Sequence, residues 1–174
     1  MKKLFALVLS LCLLCSIAMA ETAVKELNWA DVEAKAAELG GDFAEFESVG
    51  YKMYIPAGFQ AVEVPEEAQA AGVAAIVSNG TLNFSIMVNS LEGMTGEAYI
   101  ATLQENGATD IEPGLINGIE AISYEYTAEN GIKTANVAIA TADNSTLITF
   151  TFAPIDDAQL QEELPVIVAS IQSL

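Results

Sequence analysis

The chain has 174 residues with 24 acidic side chains, six lysines, and no arginine or histidine, so its formal net charge at pH 7 is −18. This charge repels phosphate backbones and anionic lipid, which argues against nucleic acid and membrane surfaces as partners. The missing histidine and arginine exclude a Ser-His-Asp site, a histidine zinc site and an arginine clamp on phosphate.

The first 20 residues have the pattern of an export signal. Two lysines precede an apolar run at residues 4–14, and an Ala-Met-Ala sequence ends at Ala20, where a signal peptidase would cleave. We expect a secreted or periplasmic protein without stable membrane insertion after cleavage. Both cysteines lie in the removed segment, so we expect no disulfide. Residues 21–174 are expected to form a single globular domain with 24 acidic residues against four lysines, a net charge of −20.

The first predicted element of the mature chain is a helix over residues 29–39. Asn28 occupies the expected N-cap position, and the glycine pair at 40–41 favours a left-handed stop. Trp29 falls on the apolar stripe of this helix, which favours a role in the core over a role in ligand binding. A hairpin or a bend around Gly50 is predicted next, followed at residues 65–71 by a short helix or a covering loop.

Asn-Gly pairs separate many of the remaining elements. Asn79-Gly80 predicts a type I′ hairpin, because both central residues of that turn need positive φ. Pro165 falls within the last apolar stripe, which predicts either a kinked helix or two half-helices. We predict a hairpin at 73–78 and 81–89, a helix from Thr95 to a stop at 106–107, a strand at 109–116, a meander at 119–126, 132–141 and 146–152, and a terminal helical element at 157–173. This order predicts an α+β fold with a largely antiparallel sheet of about six to eight strands, built from hairpins and a meander and flanked by helices.

Alternation along the predicted strands divides their side chains into two faces. The face of large residues, which we expect helices to cover, holds Leu82, Phe84, Ile86, Val88, Ile122, Tyr124, Tyr126, Val137, Ile139, Ile148, Phe150 and Phe152. The opposite face holds Asn83, Ser85, Met87, Ala121, Ser123, Glu125, Asn136, Ala138, Ala140, Leu147, Thr149 and Thr151. The second face is either solvated or covered by a closely approaching helix, and an ordinary half-exposed sheet would show the same pattern. Its candidate ligand-binding residues are Asn83, Ser85, Ser123, Glu125, Asn136, Thr149 and Thr151.

Two short phrases carry a family resemblance. Tyr-Ile-Pro-Ala-Gly-Phe at residues 54–59 and the Ser170-Ile171 pair near the end of the chain resemble members of the PsbP/Mog1-like fold, over about residues 43–174. That family includes photosystem-associated subunits, a nuclear transport cofactor and small secreted bacterial proteins of unassigned role. The resemblance implies an antiparallel sheet flanked by helices, and it implies no active-site residue.

The leading hypothesis is a secreted, non-enzymatic binding or accessory domain without a cofactor, whose ligand is a protein, a small molecule or a glycan. One alternative is an acidic calcium-binding protein, with oxygen ligands from Asp143-Asn144-Ser145 or from Asp156-Asp157. The Asp156-Asp157 pair also fits a helix N-cap. A second alternative is a glycoside hydrolase, since two carboxylates at a set separation are sufficient for that chemistry. We assign no catalytic residue and no metal ligand.

Overall fold

The computed structural model describes residues 25–174. The expected signal peptide and both cysteines lie outside the described residues. The strands are β1 (Lys25–Leu27), β2 (Gly41–Phe46), β3 (Tyr51–Pro56), β4 (Gln60–Val62), β5 (Val73–Ser78), β6 (Asn83–Ser90), β7 (Thr109–Ile116), β8 (Ile119–Thr127), β9 (Lys133–Ala140), β10 (Thr146–Ala153) and β11 (Gln172–Ser173). The helices are α1 (Trp29–Leu39), α2 (Glu66–Ala70), α3 (Gly96–Glu105) and α4 (Ala158–Ala169). Within this described part, no helix is both long enough and apolar enough to cross a membrane.

Eight strands form one large sheet in the order β1-β7-β8-β9-β10-β6-β5-β4. The predicted meander is confirmed and occupies the middle of this sheet as β8, β9 and β10. All neighbouring pairs are antiparallel except β1 and β7, which run parallel. The predicted α+β class and the largely antiparallel sheet are therefore confirmed. The two edge strands, β1 and β4, have three residues each and were not predicted.

A second sheet of three strands, in the order β11-β3-β2, packs beside the large one. The predicted hairpin around Gly50 supplies β2 and β3, and Gly50 has a φ of 73°. The chain end supplies β11, which pairs with the start of β3. Our prediction of a helical element reaching residue 173 is therefore wrong at its end, because α4 stops at Ala169 and the chain then extends.

Helix α4 is one continuous helix that contains Pro165. The Asp157 side chain caps it by accepting from the backbone N–H groups of Gln159 and Leu160 at 2.8 and 3.2 Å. Its apolar stripe packs onto the large sheet, where Leu160 and Ile167 have no exposed surface. The terminal helix thus covers the face of large residues and leaves the other face of the sheet without it.

The main core lies between this covered face, α4 and the small sheet. Phe84, Phe150 and Phe152 supply its large aromatic side chains from β6 and β10, with exposed fractions of 1% or less. Tyr51 and Met53 of β3 close it from the small sheet. Helix α1 packs beside α4 through a separate apolar cluster of Ala36, Tyr54 and Val166 with Trp29, Val32, Leu39 and Phe43 around it. Trp29 is partly buried and packs against this cluster, in agreement with its predicted packing role, and its ring centroid lies 5.0 Å from that of Phe43.

The predicted faces are correct for β6, β9 and β10 but wrong for β8. Phe150 pairs with both Ile86 and Val137, so these three share the covered face. On β8, however, Ser123 pairs with Val137 and Ile122 pairs with Ala138. The whole strand is therefore inverted relative to our assignment, since neighbouring residues on a strand point to opposite faces. The open face receives Ile122, Tyr124 and Tyr126, and the covered face receives Ala121, Ser123 and Glu125.

Packing at the end of α4 explains this inversion. The Asn117 side-chain amide donates to the carbonyls of Ala169 and Ile171, each at 2.8 Å, and this holds the helix end close to the start of β8. Ala121 is only 8% exposed in the space that remains. The larger Tyr124 instead packs on the other side, against Tyr99 of α3. The size of the side chains on β8 therefore reflects the space available on each face. It does not indicate which face meets the main core.

Asn28 is the N-cap residue of α1, as predicted, but its expected side-chain bond does not form, and the type I′ turn predicted at Asn79-Gly80 is wrong. The Asn28 side chain makes no cap hydrogen bond, and the backbone N–H of Trp29 donates to Asn117 Oδ1, 2.8 Å away and 88 residues later in the chain. The hairpin between β5 and β6 forms, but only Gly80 has a positive φ, because the Asn79 side chain accepts from the N–H groups of Thr81 and Leu82 and builds a longer turn. The predicted N-terminus at Thr95 is confirmed by its cap to the Ala98 N–H.

Candidate functional site

The open face of the large sheet is crossed by α3. This helix connects β6 to β7, which are separated in the sheet by β8, β9 and β10, so the connection must pass over the meander. A helix of ten residues is about 15 Å long, whereas eight strands at a spacing of about 4.8 Å make a sheet about 34 Å wide. Helix α3 therefore covers only part of the face and leaves a groove along one side.

This groove, which we call the α3 groove, has a volume of about 330 Å³. Apolar and sulfur-containing side chains form its walls, together with two tyrosines, and amide and hydroxyl groups form its floor. Its lining residues are Met87, Asn89, Ser90, Leu91, Met94, Tyr99, Thr102, Tyr124, Asn136, Leu147, Thr149 and Thr151. Leu91, Ala138 and Leu147 form a small buried apolar cluster against Tyr99 and Tyr124, which fixes α3 to the sheet.

Hydrogen bonds order the polar floor of the groove. Asn136 Oδ1 accepts from Thr151 Oγ1 at 2.8 Å, and Asn136 Nδ2 donates to Thr134 Oγ1 at 2.9 Å. The hydroxyls of Tyr99 and Tyr124 lie 3.3 Å apart. Burial, followed by the hydrogen bond with Tyr99, raises the pKa of Tyr124 far above its usual range, so this hydroxyl stays protonated at physiological pH. The floor therefore consists of neutral polar groups held in fixed positions.

The structure brings together five of the seven candidate ligand-binding residues. Asn136, Thr149 and Thr151 line the α3 groove. Ser85 pairs with Thr151 and Asn83 pairs with Ala153, so both lie on the same open face beyond the groove lining. These placements agree with the predicted surface, because the alternation of β6, β9 and β10 was assigned correctly.

Ser123 and Glu125 do not belong to this surface, and their assignment to it is wrong. Both lie on the covered side of β8, and the Ser123 hydroxyl donates to the carbonyl of Glu112 at 3.3 Å. Burial, and after it the negative charge of Asp110, raises the pKa of Glu125. The inverted phase of β8 is the reason for both errors.

Sequence reasoning missed the two tyrosines and the loop residues of the groove. Tyr124 was assigned to the covered face, and Tyr99 was treated only as part of a helix. One signal was available: a helix between a hairpin and a meander must cross the sheet, and its apolar residues Tyr99, Ile100 and Leu103 need a partner face. The loop residues Leu91 and Met94 gave no periodic signal.

The candidate calcium ligands are engaged in local structure. Asp143 Oδ1 accepts from Thr141 Oγ1, Ser145 Oγ and the Ser145 N–H, which closes the turn between β9 and β10. These bonds lower the pKa of Asp143 to about 2, the Thr141 bond contributing most. Asp156 forms an ion pair with Lys133, and Asp157 caps α4. Among residues 25–174, no group of three or more acidic, cysteine or histidine side chains converges on one point.

A second, larger cleft of about 660 Å³ lies between β2 and the paired strands β4 and β5. Its lining comes mainly from backbone and apolar side chains of these strands, including Phe43 and Val62. The N–H of Phe43 is already bonded to the Asp42 carboxylate at 2.8 Å. This cleft lacks the ordered side-chain floor of the α3 groove, so we take the groove as the candidate site.

Comparison with known proteins identifies the fold. No protein-family model matches the sequence, and no curated protein matches it. The solution structure of cyanobacterial PsbP (CyanoP) from Synechocystis sp. PCC 6803 is similar, with a TM-score of 0.57, 14% identity, and coverage of 92% of this chain and 99% of that chain. A crystal structure from Bacteroides thetaiotaomicron VPI-5482 has a TM-score of 0.46 and 16% identity, and the similarity covers 78% of this chain and 49% of that one. The similarity to CyanoP shows that this chain has a PsbP-like fold.

Proposed function

We propose that the protein is a non-enzymatic accessory domain that acts outside the cytoplasm and binds a segment of a partner protein in the α3 groove. The observation that carries this proposal is the groove itself, where ordered polar groups lie beside apolar walls on a sheet face that α3 only partly covers. The export pattern of residues 1–20 supports a location outside the cytoplasm.

The lining favours a polypeptide ligand. Tyrosine and methionine are enriched in protein interfaces, because they contribute large contact areas, and the methionine side chain also adapts to the shape of the partner. Met94 is 38% exposed at the edge of the groove although it is apolar. A groove of this kind accommodates an apolar side chain between Tyr99 and Met94 while the partner's polar groups meet the floor.

The floor is already ordered without a ligand. Asn136 uses both ends of its amide within the sheet, and Thr151 donates to it. The protein therefore has little side-chain freedom to lose when a partner binds, which reduces the entropic cost of association. The same lining contains no carboxylate, amine or thiol, and burial raises the pKa of its Tyr124 hydroxyl, which supports binding in preference to proton-transfer chemistry at this site.

A peptide array and a glycan array probed with residues 21–174 test this function, with two tryptophan variants on the same helix. Thr102→Trp fills the groove, because Thr102 lines it, whereas Ala101 is exposed and does not. We expect peptide spots to bind the parent protein and the Ala101→Trp variant, and to lose at least about tenfold in affinity with Thr102→Trp. Glycan binding without peptide binding, or equal binding by both variants, would contradict the proposal.

A further inference from the structure

The charged residues beside the α3 groove are acidic. Glu92 directly follows the lining residue Leu91, and Glu97 lies in the first turn of α3, two residues before the lining residue Tyr99. The Leu91 N–H donates to the Ser145 carbonyl at 2.9 Å, which joins this edge to the turn that contains Asp143. We call Glu92, Glu97 and Asp143 the acidic rim, and all three are exposed.

The lysines of the described residues lie on the other side of the molecule. Lys25 is in register with Gly114 on the covered side and pairs with Glu112 at 3.0 Å. Lys35 of α1 pairs with α4 through Glu162 at 2.7 Å. The remaining two follow the same pattern: Lys133 pairs with Asp156, which precedes α4, and Lys52 lies 5.4 Å from the ring centroid of Phe43 in the small sheet. Within residues 25–174, no lysine accompanies the acidic rim.

From this separation of charge, and resting on the function proposed above, we propose that the segment bound in the α3 groove is basic, with lysine or arginine side chains beside an apolar anchor. The apolar walls receive the anchor, and the rim attracts the flanking cations, which also meet the electron-rich faces of Tyr99 and Tyr124. A second copy of this chain is disfavoured as the occupant, because its own net charge is strongly negative.

Three short peptides that share the same apolar positions and carry Lys, Gln or Glu at all others test this inference by fluorescence anisotropy. At about 0.15 M salt the screening length is about 8 Å, so local charges dominate over the net charge. We expect the lysine peptide to bind at least about tenfold more tightly than the glutamate peptide, with the glutamine peptide between them. The Thr102→Trp variant should lose binding to all of them.

A matched pair of double variants separates the rim from the overall charge. Glu92→Lys with Glu97→Lys changes the rim, and Glu33→Lys with Glu47→Lys makes the same net change at exposed positions of α1 and the β2–β3 turn. We expect the first pair to reduce the preference for the lysine peptide to about threefold or less and the second to retain it.

Several results would overturn the inference. Equal affinity for the three peptides, still sensitive to Thr102→Trp, would leave the binding function in place and remove the basic partner. An equal loss in both double variants would assign the preference to net charge. Sedimentation showing a dimer that Thr102→Trp dissociates would make a second copy the occupant. If no peptide binds, or if Thr102→Trp leaves the binding of all three unchanged, the proposed function is overturned as well.

Discussion

Asn117 joins three elements of the fold. We expect its replacement to lower the free energy of unfolding more than the replacement of most other polar residues. Its Oδ1 accepts from the N–H of Trp29, the first residue of α1, at 2.8 Å. Its Nδ2 donates to the carbonyls of Ala169 and Ile171 at the end of α4. Its φ of 50° places it in the left-handed region, which Asn and Gly adopt more readily than other residues.

The expected magnitude follows from these contacts. Three neutral hydrogen bonds contribute a net of about 1 kcal/mol each, so Asn117→Gly should lower the free energy of unfolding by about 3 kcal/mol. Asn117→Ala loses the same bonds and should cost about 1 kcal/mol more than Asn117→Gly, about 4 kcal/mol in all, because alanine adopts the left-handed region less readily than glycine or asparagine. For a domain of this size, that loss corresponds to a decrease in Tm of about 10 °C.

Urea unfolding of residues 21–174 at pH 7, followed by circular dichroism, measures these differences. Asn28→Ala is the control. Replacing a side chain that makes an N-cap hydrogen bond lowers the free energy of unfolding by about 1 kcal/mol. The Asn28 side chain makes no such bond, so its replacement should lower it by less than about 0.5 kcal/mol. A loss below about 1 kcal/mol for Asn117→Gly, or a larger loss for Asn28→Ala than for Asn117→Gly, would refute the reasoning.

Three further predictions concern polar groups. Ser170→Ala should lower the free energy of unfolding in urea by about 2 kcal/mol, because the fully buried hydroxyl accepts from the Tyr54 N–H at 2.8 Å and its loss leaves that donor unpaired. Ser173→Ala, at an exposed position, is the control. Equal effects of the two substitutions would contradict the prediction. Glu125→Gln should stabilise the fold by about 0.5 kcal/mol at pH 7. The pKa of Glu125 is raised in the folded state, so the stability of the parent protein falls as pH rises from about 4.5 through the folded-state pKa. A gain in stability that persists at pH 4 would contradict this cause. The Asp143 carboxyl should titrate near pH 2 when followed by NMR. Its contribution to stability should therefore be complete above about pH 4 and be lost as pH falls towards 2. A titration midpoint at 3.8 or higher would show that the Thr141 and Ser145 bonds do not persist in solution.

Elements whose pattern lies within one stretch of chain were predictable. The meander strands β8, β9 and β10 alternate with period two between turn residues, and that signal needs no knowledge of the rest of the protein. The short edge strands differ in this respect. Lys25–Leu27 is a strand because it lies in register with Gly114–Ile116, and Gln172–Ser173 is one because it pairs with the start of β3. Three residues or fewer carry no periodicity from which such pairing could be predicted.

The candidate site was predictable in part for the same reason. Asn136, Thr149 and Thr151 were placed on the correct face, because their strands carry large residues opposite them that only the main core could bury. Tyr124 was not, because it packs against Tyr99 of α3 on the open face while the small Ala121 of the same strand faces the main core. Alternation shows that a strand has two different faces, and packing decides which of them meets the core.

The amino-acid sequence by itself determined the strong negative charge, the lack of histidine and arginine, the positions of most turns and the order of the main strands and helices. These properties depend on composition or on residues close together in the chain. Tertiary structure alone decided the phase of β8, the cap that Asn117 supplies to α1, and the α3 groove with its acidic rim on the side away from the lysines of the described chain. Each of these depends on contacts between distant residues, whose geometry is set by how helices and sheets fill the available space.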